Sequence, residues 1–114
     1  MALFEYKVKA DDTLVLPESS EEITTTGTGD VVDPDIRHSR VTTGGAHTVT
    51  LADGTVTGQI KEIILISDGG DMTLTPDNFA DGTSLTFADD LDYAKLRWSG
   101  SDWELVGGAG LAII

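Results

Sequence analysis

Wherever this chain is apolar, its apolar and polar residues mostly alternate with a period of two, the spacing of a pleated strand with one face buried. Residues 3–9, LFEYKVK, set Phe4, Tyr6 and Val8 on one face and Glu5, Lys7 and Lys9 on the other. Residues 14–16 are apolar, but from Pro17 to Asp35 the chain is acidic and rich in Thr and Gly, with only Ile23, Val31 and Val32 to bury. Residues 1–36 therefore predict an N-terminal strand and extended arm, and residues 37–114 a β domain.

Two hairpins can be tested by register. Asp53 and Gly54 suit a two-residue turn needing positive φ at both positions. Closing it at Ala52 and Thr55 sets Leu51 opposite Val56, Val49 opposite Gly58 and His47 opposite Ile60, with Thr50 facing Thr57 and Thr48 facing Gln59. The strand after it, KEIILIS, has no polar face across Ile63, Ile64, Leu65 and Ile66, and predicts a central strand covered on both sides. A second hairpin turns at Ser99 and Gly100. It pairs Trp98 with Ser101, Arg97 with Asp102, Leu96 with Trp103, Lys95 with Glu104 and Ala94 with Leu105. One face then gathers Ala94, Leu96, Trp98, Trp103 and Leu105, and a one-residue slip would scatter it. At Asp81 and Gly82 the same test fails, so residues 75–82, TPDNFADG, predict a longer connection. One helical turn started by Thr75 and Pro76, with Phe79 tucked inward, fits it. Strands at residues 72–75 and 84–87 flank this connection, and residues 68–71, DGGD, read as a tight loop.

Composition supports strands throughout: fifteen Thr, eight Val and eight Ile, with 13 Gly for turns. The acids are 14 Asp to 6 Glu, a bias toward turns rather than helix interiors. The fold class is all-β, a small antiparallel β-sandwich or barrel-like meander with an extended N-terminal arm. At 114 residues the chain makes one modest core.

Charge then narrows the partners. Twenty acidic against seven basic residues give −13, the wrong sign for neutralising phosphates, so nucleic acid is not an expected partner. No apolar run approaches a bilayer span and no basic-then-apolar leader opens the sequence, so no membrane partner is expected. The absence of cysteine removes disulfides, zinc thiolates and thiol catalysis.

Candidate chemistry is sparse. Of two histidines, His47 falls on the apolar face near Ile60 and reads as a packed, hydrogen-bonded imidazole, and His38 sits among Arg37, Ser39 and Arg40 in a loop. The carboxylates lie at predicted turns, where a glycosidase pair is less fitting than solvated charge. Asp68 with Asp71, or Asp89, Asp90 and Asp92, could gather oxygens around calcium, but without the EF-hand spacing. GTGD and VGGAG lack the lysine and helix of a phosphate loop. Trp98 and Trp103 share a face with Leu96 and Leu105, which favours core over a sugar platform. No catalytic residue, metal site or cofactor is predicted. Two apolar ends remain without a partner: Phe4, Tyr6 and Val8 in the arm, and Leu111, Ile113 and Ile114 in a short tail after the flexible GGAG.

Residues 58–107 carry a GQ.K.I strand, a TLTP.NF turn, a GTSLTF strand and a closing W.GS.WELVG hairpin. In these motifs the chain resembles a module of small β-rich bacteriophage virion proteins, including head decoration or cement proteins and parts of tails. The resemblance covers under half the chain and supplies no catalytic residue. It implies a non-enzymatic decoration protein at the capsid surface of a virion, a homotrimer whose partners are the major capsid protein and its own copies. The six apolar residues just named are then the candidate contacts. The alternative it leaves open is a tail-fibre or receptor-binding module, with the DGGD and TPDNFADG loops touching a host glycan.

Overall fold

The computed structural model describes residues 19–114, and residues 7–8 and 14–15 as backbone only. Two short strands, β1 (Lys7–Val8) and β2 (Leu14–Val15), pair antiparallel. Ten more follow: β3 (Ser20–Thr24), β4 (Val31–Val32), β5 (His38–Thr42), β6 (His47–Leu51), β7 (Ile60–Ser67), β8 (Met72–Pro76), β9 (Leu85–Phe87), β10 (Tyr93–Trp98), β11 (Trp103–Ala109) and β12 (Leu111–Ile113). The described residues contain no helix. The fold is all-β, as the period-two pattern predicts.

The strands form two five-stranded sheets that enclose one core. The first runs β11-β10-β7-β5-β3 and the second β12-β9-β8-β6-β4. From β3 to β8 the chain changes sheet after every strand, so β3, β5 and β7 are mutually parallel, as are β4, β6 and β8. Only the later strands, β9 to β12, add antiparallel pairs. The sheets are therefore mixed, and the expected all-antiparallel arrangement is corrected. Each coil stacks its inward side chains on those of the next: Ile23, Val41 and Leu65 in the first sheet, and Val32, Leu51 and Pro76 in the second.

The predicted hairpin at Asp53 and Gly54 is absent for the same reason. Residues 52–59 carry the chain from β6 in one sheet to β7 in the other, so Val49 and Leu51 face Ile63 and Leu65 across the core instead of lying beside them. Gln59 organises this crossing: its side-chain oxygen accepts from Thr55 N at 2.8 Å and Val56 N at 3.2 Å, and its amide donates to Pro34 O at 2.5 Å. Gly54 is needed for closeness, since a Cβ there would lie 2.5 Å from Cγ of Trp98.

The second hairpin exists, but with a four-residue loop. Trp98 pairs with Trp103, Arg97 with Glu104 and Leu96 with Leu105, two residues from the predicted register. A shift of two preserves the faces, so both tryptophans are buried as expected, with ring centroids 5.3 Å apart. Trp103 Nε1 donates to Ala52 O at 2.9 Å, which ties the hairpin to the crossing above it.

Other expectations change in detail. β7 is central, yet only Lys61, Ile63 and Leu65 are fully buried, and Ile64 and Ile66 on its outer side are half-buried. Residues 77–84 make no helical turn, because Pro76 completes β8 by packing in the Val32 and Leu51 row; Phe79 does turn inward and bridges to Trp103. Residues 19–36 are no free arm, since β3 and β4 supply an edge strand to each sheet. The C-terminus is no flexible tail: β12 pairs with β9, and the Ile114 carbonyl accepts from Thr83 N at 2.6 Å.

The turns at residues 43–46 and 68–71 lie against each other, because successive coils stack. Thr43 Oγ1 accepts from Gly69 N at 3.0 Å and donates to Gly70 O at 2.7 Å. A Cβ on Gly69 would sit 2.1 Å from the Thr43 carbonyl oxygen, and backbone cannot yield as a side-chain tip can. Gly69→Ala is expected to destabilise the protein by about 1–3 kcal/mol, read as a lower urea midpoint with unchanged slope. An unchanged midpoint would contradict the packed turns.

Candidate functional site

The most unusual buried group is Lys61. It shares the inward face of β7 with Ile63 and Leu65 and is wholly buried. Its Nζ donates to Ser39 Oγ at 2.5 Å, Ile36 O at 2.6 Å and Asp33 O at 2.7 Å, and lies 3.4 Å from Glu21 Oε2. The same Glu21 oxygen accepts from Ser39 Oγ at 2.8 Å and Asp33 N at 2.9 Å. Burial pushes the lysine below its ordinary pKa, and the Glu21 carboxylate opposes that shift. The network binds β3, β5, β7 and residues 33–36 to one another, and every hydrogen of the ammonium has an acceptor.

The outer side of the first sheet carries the other cations. His38 and Arg40 point outward from β5, Lys95 and Arg97 from β10, and Arg37 reaches Glu62 on β7. Apart from buried Lys61, these are all the basic residues among residues 19–114 other than His47. His38 Nδ1 lies 2.8 Å from Glu62 Oε2, Arg40 Nε 3.4 Å from Glu22 Oε1, and Arg97 Nη1 3.3 Å from Glu104 Oε1. Between these pairs, Ile64 and Tyr93 line an open groove of about 350 Å³ with His38, Arg40 and Glu62. Exposed ion pairs of this kind are each worth about 0–1 kcal/mol, so they exchange partners readily. In this row Ser20 stands in register beside His38, and His38 beside Glu62.

The other chemical candidates are structural. His47 lies not near Ile60 but at the turns between the sheets, where Nδ1 meets Thr25 Oγ1 at 2.6 Å. His38 begins a strand rather than sitting in a loop. Asp90 Oδ1 accepts from Asp68 N at 2.6 Å, and Asp92 Oδ2 accepts from Ala88 N and Asp89 N, both at 3.0 Å. The two acidic loops thus meet, but among the described residues no group of three or more His, Cys, Asp or Glu side chains converges as a metal site would.

Of the predicted contact residues, Phe4 and Tyr6 lie outside the described residues, and Val8 is described only as backbone of β1. Leu111 packs half-buried on the core, while Ile113 and Ile114 are exposed along the edge of the second sheet. The sequence reading missed the gathering of basic groups, although its signal was present. His38 with Arg40, and Lys95 with Arg97, are spaced by two, which puts each pair on one face of a strand. Lys61 was equally marked by sharing parity with Ile63 and Leu65.

No family model matches this chain, and no curated protein matches it.

Two groups can be tested directly. Lys61→Met keeps the bulk but takes the ammonium donor from the Asp33 and Ile36 carbonyls and the positive charge from beside Glu21. A loss of about 2–4 kcal/mol in urea unfolding is expected, with faster amide exchange through residues 33–39; equal stability would show that the network contributes nothing.

Asp30 accepts from Thr26 N and Gly27 N at 2.9 and 2.8 Å, and these bonds hold its carboxyl below the ordinary aspartate range, the Thr26 bond foremost. Its stabilising contribution is complete above the unfolded-state value of 3.8 and is lost as pH falls through the lower folded-state value. Asp30→Asn should therefore be less stable than the parent at neutral pH. The gap should close on acidification below that value, as followed by thermal melts across pH. A gap that persists in strong acid would contradict the assignment.

Proposed function

We propose that this chain is a non-enzymatic structural protein of a bacteriophage virion, a capsid decoration protein that stabilises the head by binding its outer surface as an oligomer, a homotrimer in the reading the resemblance favours. The observation that carries the docking half of this reading is the segregation of charge. On a chain of −13, Arg37, Arg40, Lys95 and Arg97 gather with only Glu22, Glu62 and Glu104 on one sheet face, around the half-buried Ile64 and Ile66 and the exposed Tyr93. Apolar floor with a charged rim is the usual make-up of a protein docking surface.

The partner in this reading is the major capsid protein, met by an acidic surface that would complement the basic groups and steer the encounter. The phage assignment itself rests on the likeness of residues 58–107 to virion modules. Interior side chains are consumed in packing, with both tryptophans inside the core, which suits clamping by buried area better than turnover. Acidic loops elsewhere keep such a coat soluble and repel it from free nucleic acid.

Cosedimentation with undecorated heads of the encoding phage tests the reading. The parent protein should pellet with the heads, and Arg40→Glu combined with Lys95→Glu should weaken binding at least tenfold while the thermal melt is unchanged. Heads that sediment without the protein, or its location in the tail by electron microscopy of the particle, would overturn the decoration role. Equal binding by the charge-reversed variant would overturn the docking face.

A further inference from the structure

The turn fastened by Lys61 contains the only Asp–Pro peptide bond of the chain, Asp33–Pro34. Residues 33–36, DPDI, form a β-turn: the Asp33 carbonyl accepts from Ile36 N at 3.2 Å, and Pro34 sits at the second position, where its fixed φ fits. A turn needs no more than that one bond. The same carbonyl oxygen has a second and charged donor, Lys61 Nζ at 2.7 Å. This ammonium is wholly buried and is held in place by Ser39 Oγ and the Ile36 carbonyl. Two fixed donors on one carbonyl oxygen, one of them cationic, are the arrangement that stabilises an oxyanion.

The remaining parts of an acyl-transfer site lie within the same residues. Asp33 Oδ1 accepts from Asp35 N at 2.9 Å. The ring closed by that bond includes the Asp33–Pro34 peptide, so the carboxylate is held beside its own carbonyl group, as an intramolecular nucleophile must be. Asp33 is exposed and open to water. Proline supplies the leaving group: its nitrogen carries no N–H, so no hydrogen bond is lost when the peptide breaks, and it departs as a basic secondary amine.

We infer that the folded chain cleaves its own Asp33–Pro34 bond, with the Asp33 carboxylate as nucleophile and with Lys61 Nζ and Ile36 N as the oxyanion donors. A carboxylate oxygen of Asp33 bonds to the Asp33 carbonyl carbon, and the negative charge moves to the carbonyl oxygen that the two donors hold. As this adduct collapses, the C–N bond breaks and its electron pair takes a proton from solvent, which frees the Pro34 amine. A five-membered cyclic anhydride is left on Asp33. One water opens it to two carboxyl groups, so the sum is hydrolysis of one peptide bond. The new terminal carboxylate inherits the Lys61 ammonium, and β3 and β4 keep their ladders with β5 and β6, which leaves the nicked protein assembled. The reaction occurs once per chain and does not depend on the virion reading.

Denaturing mass spectrometry of the full chain tests this after incubation at about pH 5, roughly one unit above the ordinary aspartate pKa. Fragments of residues 1–33 and 34–114 should accumulate. They should form at least about tenfold faster in the folded chain than in the same chain unfolded by urea at that pH, since the donors exist only in the fold. That comparison needs no variant to fold. Asp33→Ala, which lacks the nucleophile, should give neither fragment, and Lys61→Met should cleave as slowly as the unfolded parent. An intact folded parent, equal rates with and without urea, or the parent rate in either variant would overturn the inference.

Discussion

Because the chain crosses from one sheet to the other after each strand from β3 to β7, none of these five strands pairs with its neighbour in sequence. Each strand draws its hydrogen bonds from strands remote in sequence, and its inward side chain is positioned by the row it joins. Ile23, Val41 and Leu65 form such a row, and a change in any one coil would break contacts in both neighbours. The first coil has a partner on one side only and its second strand, β4, has two residues. That is where Lys61 acts. By reaching from β7 to Glu21 on β3, to Ser39 on β5 and to the carbonyls of residues 33 and 36, it fastens the weakest coil to the next two. An apolar side chain at position 61 would fill the space but offer those carbonyls nothing.

Parity was legible in the sequence and pairing was not. Thr48 and Thr50 alternate with Val49 and Leu51, which shows a strand with a dry and a wet face. The same wet face can lie beside Thr57 in a hairpin or beside Thr73 and Thr75 in a parallel ladder, because a period of two is silent on the direction of the neighbour. Asp53 and Gly54 tipped the reading to a hairpin, whereas the glycine serves closeness to Trp98 instead of turn geometry. At Trp98 and Trp103 the error was harmless, since moving the register by two returns every side chain to the same face. The short turns with paired glycines, at residues 44–45 and 69–70, were the available sign of coils stacked on one another.

The candidate surfaces were hidden for a related reason. Basic residues at 37, 38, 40, 95 and 97 are far apart in sequence and become one face only when β5, β7 and β10 are adjacent. The outward threonines Thr48, Thr50, Thr73, Thr75 and Thr86 likewise become neighbours only with β6, β8 and β9 side by side. Arg37, Arg40, Lys95 and Arg97 could be read individually as solvated charge, and the threonines as ordinary strand residues. Only the topology turns each set into a patch with a sign and a texture.

The exposed strand edges bear on which faces remain for association. β3 presents Glu21 and Glu22 and β11 a bulge after Leu105, two devices that discourage further strand addition. β12 has neither: its Leu111, Ala112 and Ile113 are uncharged, and Ile113 and Ile114 stand 45% and 72% exposed. That bare edge lies in a different sheet from the basic face. The protection of edges thus differs between the two sheets as their outward side chains do, charged on the first and mostly threonine on the second.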